Sequence, residues 1–173
     1  NIRFLKRRKN AGVSNVMNLA IKKSKGEYVN WLSHDDIIHP LKIEKQINLI
    51  RQYPNKKILC FSHSISFNEN SSYERKIKIN KNLIRKSNWL LTSDKLHGCS
   101  MLIPKKYIVS AGYFNESLRY TQDYDMWMKL HEMGVKFLLC DEYLLFSRKH
   151  ELQDTIFFSE KVDLEKKNFY FNK

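Results

Sequence analysis

Apolar positions along the chain change rhythm repeatedly, and the changes predict strand, helix and strand in turn through the first half. Ile2 to Leu5 reads as a short strand leading to a polar turn at Lys9-Asn10-Ala11-Gly12. Val13, Val16, Met17, Ala20 and Ile21 then recur at helical spacing, with Ser14 placed to cap that helix and Gly26 to close it. Tyr28 to Leu32 forms the next expected strand, broken by Ser33-His34-Asp35-Asp36. Pro40 suits the first turn of a following helix, whose Ile43, Ile47 and Ile50 are expected to face inward until Tyr53-Pro54-Asn55 stops it. Ile58 to Phe61 is almost wholly apolar, as in a strand covered on both faces.

The second half is less regular. Residues 67–88 are polar, and Asn68 to Ser72 predicts a mobile loop. Ser100 to Ile103 reads as a buried strand, and Pro104 opens a short helix to Ser110 that Gly112 closes. Thr121 is placed to cap a helix carrying Met126, Trp127, Leu130 and Met133, with Gly134 at its end. Val135 to Leu139 and Tyr143 to Phe146 make two further strands, and Asp154 to Phe171 a helical tail. Alternating strands and helices argue for an α/β fold, a mainly parallel sheet flanked by helices.

Composition narrows this picture without redirecting it. The 173 residues are 42% hydrophobic and 13% aromatic, with five Gly and three Pro, which excludes a disordered chain. No apolar run reaches eighteen residues, so no membrane-spanning helix is expected. Cys60, Cys99 and Cys140 are odd in number, widely spaced and set among apolar residues, with no CxxC pair. Three buried thiols in a reducing, cytoplasmic compartment is the reading, in place of a disulfide framework or zinc site. The formal charge of +13 favours anionic partners. Its densest groups, Lys6-Arg7-Arg8-Lys9, Lys22-Lys23-Ser24-Lys25 and Arg75-Lys76-Ile77-Lys78, lack the interleaved aromatics of a single-strand-binding surface, so nucleic acid is not the expected partner.

Chemistry gathers where a strand ends. In open α/β sheets ligands sit at the carboxyl ends of strands. Asp35 and Asp36 follow such an end and offer the hard oxygens that Mg²⁺ or Mn²⁺ takes together with phosphate oxygens. By spacing alone, two adjacent Asp residues in a loop more often just cap the helix that follows.

Asn10-Ala-Gly-Val-Ser-Asn-Val-Met-Asn18 followed by Gly26-Glu-Tyr-Val-Asn-Trp-Leu-Ser-His-Asp-Asp36 resembles family 2 glycosyltransferases of the GT-A fold. Downstream, Gly98-Cys-Ser-Met-Leu-Ile-Pro104, Ala111-Gly-Tyr-Phe-Asn-Glu116, Gln122-Asp-Tyr-Asp-Met-Trp127 and Arg148-Lys149-His150 continue the resemblance in the family's order. It implies a GT-A-like domain over residues 1–150 and a C-terminal helical tail over 151–173. The family's opening βαβ segment is expected to precede Asn1, because the chain starts as if inside a strand.

The resemblance also implies roles. Asp35 matches the last carboxylate of the DXD motif, which holds the divalent metal, Mn²⁺ or Mg²⁺, on the nucleotide diphosphate. His150 matches a histidine that completes the metal shell. Ser33 stands where the motif's first Asp usually contacts the ribose, and Asp36 follows as a substrate contact or helix cap. Asn10 and Gly12 match the loop lining the nucleotide pocket. His97 and Gly98 precede a strand that runs beside the donor sugar. Asp123 matches the catalytic base, just inside a helix N-terminus whose dipole favours its ionised form. Gln122 replaces the usual Glu beside it.

The implied reaction is inverting transfer from a nucleotide-sugar donor, UDP-linked or similar, to a hydroxyl of a carbohydrate or lipid-linked acceptor in surface polysaccharide or glycolipid synthesis. Peripheral association with the inner face of a membrane would suit the basic surface. The Ser33 and Gln122 departures also fit an inert glycosyltransferase-like module, and the charge alone would fit a nucleic-acid-binding domain.

Overall fold

The apolar run at Ile58 becomes the centre of a four-stranded sheet in a computed structural model that describes residues 2–6, 9–68, 74–81, 96–151, 153 and 157–171. In chain order the elements are α1 (Val13–Lys23), β1 (Tyr28–Val29), β2 (Asp36–Ile38), α2 (Lys42–Arg51), β3 (Ile58–Phe67) and β4 (Glu74–Ile77). A 3-10 turn (Gly98–Ser100), β5 (Ile103–Pro104), α3 (Lys105–Ser110), α4 (Gln122–Glu132), β6 (Lys136–Arg148) and α5 (Ser159–Phe171) complete it. The main sheet has the order β2-β6-β3-β4, and β1 pairs with β5 in a separate antiparallel ribbon. A bridge between Cys60 and Leu102 ties that ribbon to β3.

The expected parallel pairing is present between β3 and β6, from Ile58 opposite Lys136 to Phe67 opposite Arg148. Around it the described sheet is mixed: β2 runs antiparallel to β6, and β4 antiparallel to β3. The α/β fold and its parallel centre are as expected, and the antiparallel strands lie at the flanks. Period alone cannot reveal strand direction, because alternation is the same in both pairings.

Several element boundaries also move. Ile2 to Leu5 joins no strand, and Ile2 and Phe4 are almost fully exposed. The expected strand to Leu32 ends at Val29, while Asp36, read as part of a break, begins β2. Apart from Val135, the expected strands Val135–Leu139 and Tyr143–Phe146 are parts of one strand, β6. Its register shifts against β3 where Cys140 opposes Ser62 and Tyr143 opposes His63. The sequence break is therefore real, but as a bulge at Asp141 and Glu142. Residues 69–73, most of the expected loop, lie outside the described residues, as do Arg7 and Arg8 of the first basic group and residues 154–156 of the tail.

Two helices present unexpected faces to the core. On α1 the buried residues are Ser14, Asn18 and Ile21, with Val13 and Val16 exposed. Asn18 explains this: its Nδ2 donates to the Phe114 carbonyl at 2.9 Å and its Oδ1 accepts from the Phe114 amide at 2.9 Å. Ser14 caps nothing and sits inside the helix, its hydroxyl 3.4 Å from the Leu118 carbonyl. On α2 the fully buried residues are Lys42 and Gln46, and Ile43, Ile47 and Ile50 are only half-buried. Gln46 donates to the Ser100 carbonyl at 2.9 Å, and the Lys42 ammonium reaches the Met101 carbonyl at 3.4 Å. Burial pushes the Lys42 ammonium down to about 8.

Conventional packing holds the rest. Leu59, Phe61, Met101, Ile103, Ile108, Met126, Trp127 and Leu130 form one buried cluster. Trp31 stacks on Trp127 with ring centres 5.7 Å apart and meets Phe114 edge-on at 5.5 Å. All three cysteines are free and buried, as expected from their apolar settings.

Candidate functional site

The pairing of β2 with β6 places the candidate residues. Asp36 lies opposite Ser147 in an antiparallel register, so the residues just before Asp36 and just after Arg148 converge at one end of the sheet. There the His150 Nε2 stands 3.1 Å from Asp35 Oδ2, across 115 positions of sequence. Gln153 adds its side-chain amide, donating to Asp35 Oδ2 at 3.4 Å and to the Arg148 carbonyl at 2.6 Å. Burial pushes the Asp35 carboxyl upward, but the hydrogen bonds from His150 and Gln153 outweigh it and leave the group below its ordinary range.

Asp36 points the other way. Its side chain is 2% exposed, and its Oδ2 lies 3.6 Å from His97 Nε2 and makes no hydrogen bond among the described residues. The His97 Nε2 is also 3.3 Å from the Ser147 hydroxyl, and its Nδ1 accepts the Cys99 amide at 3.3 Å. Ser33 faces Cys99 as well, with its amide and its hydroxyl each 3.4 Å from the Cys99 sulfur. Burial raises that thiol to about 11.

Two donor sets thus lie side by side, and the tautomers separate them. Ligand atoms of Asp36, His97 and Cys99 lie within 4.8 Å of one another, a cluster that residue spacing did not reveal. A histidine that ligates through one ring nitrogen carries its proton on the other and donates from it. The Nδ1 of His97 is an acceptor, so the proton sits on Nε2, facing Asp36 and Ser147. His97 is thus held by hydrogen bonds to Ser147 and the Cys99 amide, with the Asp36 carboxylate beside it. The His150 Nε2–H donates to the Asp35 carboxylate, and its Nδ1 has no partner among the described residues, so the proton can pass to Nδ1 and free Nε2 to join the carboxylate as a donor pair that would fit a hard divalent cation.

Asp123 is the second residue of α4. Its Oδ1 accepts the Tyr124 amide at 2.9 Å, and the residue is half-buried. Burial is the main cause that raises it to about 6, against the pull of the Tyr124 hydrogen bond and the more distant Lys166 charge. Neighbouring Gln122 keeps its Oε1 buried without a hydrogen bond among the described residues. Asp125 is turned into the core beside Lys129, 2.6 Å away, and Trp127 is fully buried in packing.

The remaining sequence candidates are structural neighbours of this centre. Gly98 is pressed against Trp31: a Cβ there would lie 2.5 Å from Trp31 Cζ2. Asn10 and Gly12 are exposed at the start of α1, where the Gly12 amide donates to Asn10 Oδ1 at 3.0 Å and Gly12 adopts φ 81°. Sequence reasoning overlooked Asn15, Asn18 and Glu116. Glu116 accepts from Asn18 at 2.9 Å and from Asn15 at 2.5 Å, joining α1 to the loop before Asp123. Their signal was two polar residues on the inner face of an otherwise amphipathic helix.

With this geometry in place, comparison with known proteins decides the family. The sequence profile of glycosyl transferase family 2 matches residues 1–109. The chain belongs to that family. An uncharacterised glycosyltransferase of Rickettsia typhi is 37% identical over 158 residues, covering 86% of this chain and 48% of the relative. Chondroitin synthase of Escherichia coli is 28% identical over 180 residues, 98% of this chain and 23% of that enzyme. The chain spans about half or less of the length of the curated relatives it matches. Among solved structures, Staphylococcus aureus TarS residues 1–349 in complex with UDP-GlcNAc superposes with a TM-score of 0.59 at 16% identity, over 83% of this chain and 40% of TarS. The family 2 chain therefore shares the GT-A fold.

Proposed function

We propose that this family 2 chain is part of an inverting glycosyltransferase that moves a sugar from a nucleoside-diphosphate donor to an acceptor hydroxyl. The observation that carries the reading is the convergence of Asp35 and His150 at one end of the sheet, a carboxylate and an imidazole 3.1 Å apart. They would hold a divalent cation, Mn²⁺ or Mg²⁺, which when bound offsets charge on the diphosphate leaving group as a Lewis acid. TarS was crystallised with UDP-GlcNAc, which supports a UDP-linked donor for this chain.

Asp123 supplies the base. Held at about 6, its carboxyl is ionised at neutral pH yet basic enough to take a hydroxyl proton as the oxygen attacks the anomeric carbon. Holding donor and acceptor together in one site would account for much of the rate. Chondroitin synthase among the relatives, and the +13 charge, support a carbohydrate or lipid-linked acceptor at an anionic membrane surface on the cytoplasmic side. No helix among the described residues is long and apolar enough to cross a membrane.

The test is transfer from UDP-GlcNAc in the whole protein with Mn²⁺, before and after Asp123→Asn. Loss of about 10²–10⁴-fold in kcat with folding intact is expected. A fully active Asp123→Asn enzyme would sink the mechanism.

A further inference from the structure

We propose that Glu165, on the C-terminal helix α5, is a positioning residue for Asp123, with its carboxylate seated in the chain that leads into α4. This rests on the reading of Asp123 as the base. The geometry is dense: Glu165 Oε1 accepts the Tyr120 amide at 2.7 Å, the Thr121 amide at 2.7 Å and the Thr121 hydroxyl at 2.9 Å. Its Oε2 accepts the Arg119 amide at 3.0 Å. Three consecutive backbone N–H groups and one hydroxyl converge on one carboxylate, 44 to 46 positions away in sequence. Successive amides in this arrangement form an anion-binding nest.

The local sequence explains why the nest needs an outside carboxylate. Thr121 occupies the N-cap position of α4 but makes no capping bond to its own helix; its hydroxyl donates to Glu165 instead. The task of fixing the helix entrance passes to α5, and Asp123 follows two residues later. Next to Glu165, Lys166 lends its positive charge to Asp123. The helix also buries Val162 and Phe169, and Phe158, just before it, meets the Tyr120 ring at 6.4 Å. Burial pushes the Glu165 carboxyl up, and the backbone bonds more than reverse this, so the group stays ionised.

The test compares Glu165→Ala with Glu165→Gln in the whole protein. Amide hydrogen exchange should lose protection by at least tenfold at Arg119, Tyr120 and Thr121 in Glu165→Ala. Glu165→Gln retains the acceptor for Tyr120 and Thr121, so only Arg119 should lose protection. Carbon-13 NMR titration of the Asp123 carboxyl separates positioning from simple stapling. In Glu165→Ala it should move down from about 6, because burial is its largest cause, while Glu165→Gln should leave it in place. With UDP-GlcNAc as donor probe, kcat should fall about 10–100-fold in Glu165→Ala with the donor KM within twofold, and Glu165→Gln should recover most of it. Unchanged exchange at the three amides would overturn the proposal. So would lost protection with an unmoved Asp123 titration, which would leave Glu165 a staple only. If Glu165→Ala does not fold, equal protection of Arg119 in Glu165→Gln and the native protein overturns it as well. An active Asp123→Asn enzyme would remove the base reading while leaving the exchange and titration results standing.

Discussion

Asp35 and Asp36 are neighbours in sequence and meet opposite fates. Asp35 turns toward the end of the sheet and meets His150 and Gln153, with an imidazole whose other nitrogen is free among the described residues. Asp36 turns inward and meets His97, whose other nitrogen is already an acceptor for Cys99. Both are carboxylate–histidine pairs, and by residue type they are the same site. What separates them is the far side of each ring: the His150 Nδ1 has no partner among the described residues and can take the proton a cation would displace from Nε2, whereas the His97 Nδ1 already accepts the Cys99 amide, which holds His97 between β2, β6 and the 3-10 turn. A census of ligand-type residues would rank the inner cluster higher, because it has three members. Tautomer logic reverses that order.

The strongest way to break this comparison is to remove the outer carboxylate. Asp35→Asn should abolish metal-dependent transfer, with a loss on the order of 10³-fold or more, while Asp36→Asn should retain most activity. Equal losses would mean that the inner pair also takes part in the chemistry. His150→Ala comes next: the Mn²⁺ concentration giving half-maximal rate should rise about 10–100-fold, a change on the scale seen when the shell around a metal is disturbed. Chelation should silence the native enzyme and be reversed by added Mn²⁺.

The inner pair should respond in stability. His97→Ala leaves a buried Asp36 oxygen without its imidazole and should cost about 1–3 kcal/mol by denaturant unfolding, with the metal requirement within twofold of native. Gly98→Ala should also destabilise, since its Cβ would strike Trp31 and disturb the Trp31–Trp127 stack. A His97→Ala protein with native stability but a raised Mn²⁺ requirement would reverse the assignment of the two pairs.

The smallest effects are in pH. The Asp35 carboxyl is depressed in the folded state, so its contribution to stability is complete above the ordinary Asp range and is lost as pH falls through its lowered value. Asp123 has the opposite sign. Raised to about 6, it binds its proton more tightly in the folded state, and stability falls as pH rises from the ordinary Asp range to about 6. Asp123→Asn should therefore unfold at a slightly higher temperature than the native protein at pH 7 while losing activity, and the native rate should climb with pH through about 6.

The sequence alone determined the α/β class, the buried cysteines, the helices around Met17 and Trp127, and the family motifs. All of these rest on residues close together in the chain, where period, capping and spacing act. Tertiary structure decided the rest. The pairing of β2 with β6 is a long-range choice with no local signature, and it alone brings His150 to Asp35. Lys42 and Gln46 were hidden because their burial is answered by the Met101 and Ser100 carbonyls of a distant turn, so a polar residue could occupy a core position. Glu165 was unreadable for the same reason: an acidic residue on a helical tail looks like solvated surface until folding brings three backbone amides to it.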